Sequence, residues 1–86
     1  MDNSIDIDDI QVKLTFDDIV DTLGFVPLIV SDTTCVWDWH INGIRCTIDG
    51  IKSGPNGLYQ FYFYGPEWIA LNLFPKSSVR FFKRYE

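Results

Sequence analysis

His40 is the single histidine of the chain, and around it stand residue types from which catalytic sites are built. Asp38 lies two residues before it, and Arg45 follows just beyond an Asn42-Gly43 dipeptide. An aspartate that orients an imidazole makes a general base. Acyl transfer would also need a nucleophile within hydrogen-bond reach. Ser31, Ser53, Ser77 and Ser78 all fall in turns or breaks of the pattern, so no spacing delivers one to His40. Gly54-Pro55-Asn56-Gly57 is turn chemistry, not a phosphate cradle. One histidine and two cysteines, with no acidic cluster inside the fold, do not compose a metal centre. Asp6, Asp8 and Asp9 lack the glycine and the later bidentate acid of a calcium loop. The composition therefore predicts a protein that is not an enzyme and holds no cofactor or metal.

Binding chemistry is better represented. Tyr62, Tyr64 and Trp68 combine large apolar area with polar tips, and with Arg45, His40 and Asp38 they have the composition of a recognition surface. Asp17 and Asp18 add an acidic pair nearer the start of the chain. These eight residues are the partner-binding candidates.

The stretch from Cys35 to Tyr64 must position most of them. Residues 35–41 and 44–49 each alternate apolar and polar, and Asn42-Gly43 between them is the strongest short-range hairpin signal. A two-residue turn pairs Ile41 with Ile44, Trp39 with Cys46 and Trp37 with Ile48. It also pairs His40 with Arg45, Asp38 with Thr47 and Val36 with Asp49. Every apolar residue except Val36 then shares one face, and a slip of one would scramble that sorting. The aromatic run 58–64 predicts a third strand, with Ile51 opposite Leu58, Ile48 opposite Phe61 and Cys46 opposite Phe63. Trp68–Leu73 is expected to return as a fourth strand, with Trp68 beside Tyr64. Leu28-Ile29-Val30, just after Pro27, is consistent with a short edge strand.

Thr15 and Asp18 form a capping-box pattern ahead of an apolar stripe at Phe16, Ile19, Val20 and Leu23, and Gly24 supplies a left-handed stop. The tail 79–85 fits two patterns. As a strand it aligns Val79, Phe81 and Tyr85; as a helix capped by Ser77 it aligns Val79, Phe82 and Tyr85. The fold class expected is α+β: a short N-terminal helix packed on one face of a four- to five-stranded antiparallel meander. Residues 1–11 are expected as a flexible acidic segment from which Ile7 or Ile10 can dock, and residues 12–86 as a single domain.

A helix of about two turns spans only about 12 Å and cannot cover four strands each about 20 Å long. A second helix, a curled sheet or another chain must complete the cover, so a homodimer or a bound partner is expected.

The 86 residues carry a net charge of −5, unevenly spread. Residues 1–22 hold seven aspartates and one lysine, whereas Lys76, Arg80, Lys83 and Arg84 crowd the last eleven positions. An acidic balance disfavours nucleic acid as the default partner, since phosphate binding follows cation density. The alternative is single-stranded nucleic acid stacked on the aromatic sheet face. In the predicted register the Cα atoms of Cys35 and Cys46 lie about 13 Å apart, beyond the roughly 7 Å a disulfide tolerates. Free thiols, no bilayer-length apolar run and no leader-like start predict a soluble cytoplasmic protein.

In size and charge the chain is similar to small phage or mobile-element proteins that inhibit host defence systems, and to toxin-immunity proteins. That resemblance implies an acidic inhibitor or adaptor whose partner is another protein, possessing a basic, nucleic-acid-binding surface.

Overall fold

The hairpin at Asn42-Gly43 sets the frame. In the computed structural model, which describes residues 7–53 and 58–84, Asn42 and Gly43 have φ of 51° and 81°, the positive pair a type I′ turn requires. The turn joins β3 (Thr34–Ile41) to β4 (Ile44–Ser53), and all six pairs from Ile41–Ile44 to Val36–Asp49 fall as the alternation predicts. Cys35, Trp37, Cys46 and Ile48 are consequently buried on one face. The two thiols are free. The edge strand β2 (Leu28–Ser31) pairs antiparallel with β3.

β5 (Leu58–Tyr64) pairs with β4 two residues away from the expected register. Leu58 faces Ser53 rather than Ile51, and Phe61 faces Gly50 rather than Ile48. A slip of two keeps every side chain on its face, so the apolar sorting survives. Gly50 accounts for the choice. A Cβ there would lie 2.6 Å from the Cys35 sulfur and 2.8 Å from the Phe61 ring, so the missing side chain is the slot that Phe61 occupies. The turn-forming residues 54–57 lie outside the described residues.

Two expectations for the remaining chain are corrected. Residues 7–11, expected within a flexible lead-in, belong to β1 (Ile7–Val12). This strand lies between β5 and β6 (Val79–Arg84), antiparallel to both, and the sheet order is β2-β3-β4-β5-β1-β6. Ile10 and Val12 supply the reason: their period-two spacing places both in the core, at 4% and 1% exposure. The aspartates obscure this in sequence, yet Asp8 stands in register with Lys83 of β6. The tail takes its strand form, with Val79 buried. Residues 1–6 and Tyr85 lie outside the described residues.

The stretch expected as a fourth meander strand is instead α2 (Glu67–Leu73). Glu, Ala and Leu favour helix, and Ile69, Ala70 and Leu73 form a helical stripe of which Ile69 and Ala70 are fully buried. α1 (Phe16–Leu23) has the expected capping box, with the Asp18 amide donating to Thr15 Oγ1 at 3.1 Å and Gly24 left-handed at φ 86°. It follows β1 rather than opening the chain.

Ile19 of α1 and Ile69 and Ala70 of α2, with Phe74 behind them, join Trp37, Phe61 and Phe63 in one buried cluster. Phe16 closes on Trp37 at 5.5 Å between ring centroids, and the buried indole N–H donates to the Phe25 carbonyl at 3.0 Å. The second helix, one of the covers the sequence allows, is α2.

Gly50→Ala should destabilise the chain by about 1–3 kcal/mol through overpacking, read as a lower midpoint in urea unfolding. Phe61→Leu in the same chain should recover part of that loss.

Candidate functional site on the open sheet face

Strand alternation buries one face under α1 and α2 and leaves the other free of the described helices. It carries Asp38, His40, Arg45, Thr47, Asp49, Gln60, Tyr62 and Tyr64. Val36, Asp49, Tyr62, Gln11 and Arg80 form one cross-strand row from β3 to β6.

Arg45 and Asp38 make a fork across the hairpin. The guanidinium donates through Nε to Asp38 Oδ1 at 3.2 Å and through Nη2 to Oδ2 at 2.8 Å. These hydrogen bonds hold the Asp38 carboxyl below its ordinary range and push Arg45 higher. Both Asp38 oxygens are thereby engaged by Arg45, and no hydrogen bond joins Asp38 to His40 among the described residues. The aspartate–imidazole arrangement that the sequence permits is therefore not formed.

Beside this fork lies an open depression of about 480 Å³, lined by Val36, Arg45, Thr47, Asp49, Tyr64 and Gly65. Asp49 is half-buried there, and desolvation pushes its carboxyl above the ordinary 3.8. Register places Val36 on one side of it and Tyr62 on the other. The Tyr62 hydroxyl is directed elsewhere, pairing with Gln60 Oε1 at 3.0 Å.

The eight candidates thus divide between two sides of the molecule. Asp38, His40, Arg45, Tyr62 and Tyr64 share the open face. Asp17 and Asp18 lie in the first turn of α1, where Asp18 is committed to the capping box. Trp68, expected on the sheet beside Tyr64, is on α2 and 54% exposed. Asp49 and Thr47 were not among the candidates, although the hairpin pattern already places both on this face.

Elsewhere, a second depression of about 340 Å³ lies between the start of α1 and β5, lined chiefly by Leu14, Phe16, Leu58, Tyr59 and Phe61. At the β2 edge, Val26, Leu28, Ile29 and Val30 are all exposed. Burial raises both thiols, Cys35 and Cys46, above the usual range. Among the described residues no three His, Cys, Asp or Glu side chains are grouped to hold a metal ion, and no helix is long and apolar enough to cross a membrane. Neither a protein-family model nor a curated protein nor a solved structure matches the chain.

The Asp49 carboxyl keeps its proton to higher pH in the folded chain than in the unfolded one. Stability should therefore fall as pH rises from the ordinary carboxylate value through the raised one, and the full penalty should persist at neutral pH. Asp49→Asn should raise Tm at pH 7, and the gain should disappear when both forms are compared below pH 3. Thermal unfolding followed by circular dichroism across that range measures it.

Proposed function

We propose that this chain is a non-enzymatic interaction module, an inhibitor or adaptor that docks another protein through the open face of its sheet. The observation that carries this reading is the register-fixed grouping of Tyr62, Tyr64, His40 and the Arg45–Asp38 fork on one sheet face with the Asp49 depression, which Arg45 and Tyr64 help to line and neither α1 nor α2 covers. Side chains presented from paired strands are already ordered, so docking on them costs little further conformational entropy. Exposed Tyr and Arg at the centre of such a patch are the residue types that dominate binding energy.

Charge supports an open-face contact over one made by the acidic N-terminal segment. The aspartates of β1 lie on the strand next to the basic residues of β6, with Asp8 opposite Lys83. The acidic and basic ends of the sequence are thus neighbouring strands, while Asp38 and Asp49 belong to the open face. Base stacking is the weaker alternative. Trp68 is on α2, and the tyrosines that remain on the sheet sit beside Asp49, whose charge opposes a phosphate backbone. Because α1 and α2 pack over the core within one chain, a homodimer is not needed to bury Trp37.

A photoreactive phenylalanine analogue at position 64, and separately at position 17, tests the assignment in the native host cell. Position 64 should give a discrete protein adduct that Arg45→Ala suppresses, and position 17 should give none. Tyr64→Ala should weaken the purified complex by about 2 kcal/mol, some 30-fold. Adducts of nucleic acid at position 64, or protein adducts at position 17 alone, would refute the open-face assignment.

A further inference from the structure

The depression on the open face contains an acid whose nearest bases are occupied elsewhere. Arg45 stands on its rim, but Nε and Nη2 are both directed to Asp38. Lys52, three residues beyond Asp49, points to the other side of β4, with its ammonium 5.3 Å from the Tyr59 ring centroid. Arg80 shares the row of Asp49 but lies three strands away, with Tyr62 and Gln11 between them. At about 4.8 Å per strand that is a separation of roughly 14 Å. No hydrogen bond from a described residue reaches the Asp49 carboxylate, and its neighbours in register are Val36 and Tyr62. The rest of the lining is Thr47, Tyr64 and the Gly65 backbone.

The chemistry of this lining suits one cationic group. A carboxylate that is partly withdrawn from water and walled by a tyrosine ring attracts a cation by charge and by the ring face. A guanidinium suits it better than an ammonium. It is planar, it stacks on aromatic rings, it donates in a fork that matches a carboxylate, and it is more weakly hydrated. The depression, about 480 Å³ and open to solvent, is large enough to admit a guanidinium. Net charge of −5 draws a cationic partner toward the surface.

We propose that the Asp49 depression seats a single arginine side chain of the protein partner, with the Asp49 carboxylate accepting its guanidinium and Tyr64 flanking it. This rests on the open-face reading of function and adds to it the chemistry of the contact. The arrangement also gives the half-buried carboxylate a purpose: among the described residues no base is bonded to it, and docking supplies one.

The test is a titration of the full ¹⁵N-labelled chain with N-acetyl-arginine methylamide, followed by amide shifts. The neutral isostere N-acetyl-citrulline methylamide and matched potassium chloride serve as controls. The expected result is a saturable shift centred on Val36, Thr47, Asp49 and Tyr64, with millimolar affinity. The citrulline compound should bind at least tenfold more weakly. Asp49→Asn should lose at least tenfold in arginine affinity, and Asp49→Glu should retain part of it. Equal shifts from the citrulline compound, undiminished binding in Asp49→Asn, or no shift beyond the salt control would overturn the seat. That failure is distinct from failure of the open-face assignment, since crosslinks from position 64 would survive it.

Discussion

The close approach of Gly50, Cys35 and Phe61 is the constraint on which the rest of the sheet depends. Any side chain at position 50 would meet the Cys35 sulfur and the Phe61 ring. With none there, Phe61 settles opposite Gly50, and that one contact fixes how β5 lies against β4. Phe63 then falls opposite Ile48, Tyr62 opposite Asp49 and Tyr64 opposite Thr47. The buried cluster and the open-face depression are therefore consequences of one register. The packing of an apolar face and the surroundings of a carboxylate on the reverse face are set together.

Local chemistry was legible wherever a short segment contained its own constraint. Asn42-Gly43 dictates a turn, and alternation on both sides of it dictates pairing, so every β3–β4 partner could be written from residue order alone. Thr15, Asp18 and Gly24 bounded α1 in the same way. The failures share a different cause. In Trp68–Leu73, seven residues or fewer satisfy both periods: Ile69, Leu71 and Leu73 alternate as in a strand, while Ile69, Ala70 and Leu73 recur as in a helix. Tertiary contact with the core decided between them. The two-residue slip of β5 leaves parity unchanged, so no hydrophobic pattern can reveal it. It is nonetheless what sets Asp49 against Tyr62, where the expected register would have set it against Gln60.

The charge asymmetry of the sequence also changes meaning once the strands are placed. Considered along the chain, an acidic start and a basic finish describe a dipole available to an outside partner. In the sheet the two ends become adjacent strands, β1 and β6, in register from Ile7–Arg84 to Val12–Val79. One of those register positions sets an acidic residue opposite a basic one, Asp8 and Lys83. What remains conspicuous is the smaller set of charges on the open face, where Arg45 is forked to Asp38 and no described side chain donates to Asp49.

The position of β1 between β5 and β6 imposes a delay on biosynthesis. Ile10 pairs with Phe63 and Phe81, which follow it by 53 and 71 residues. At roughly 5–20 residues per second, β1 waits about 4–14 s between its own emergence from the ribosome and that of its last partner. Throughout that interval Ile10 and Val12 lie in a strand-forming segment with both edges vacant, the kind of sequence that self-associates between nascent chains. Asp8 and Asp9 are part of the same strand. Mutual repulsion of such charges is the usual guard against premature pairing. In the finished sheet the residue that comes to stand opposite Asp8 is Lys83, 75 positions further along the chain.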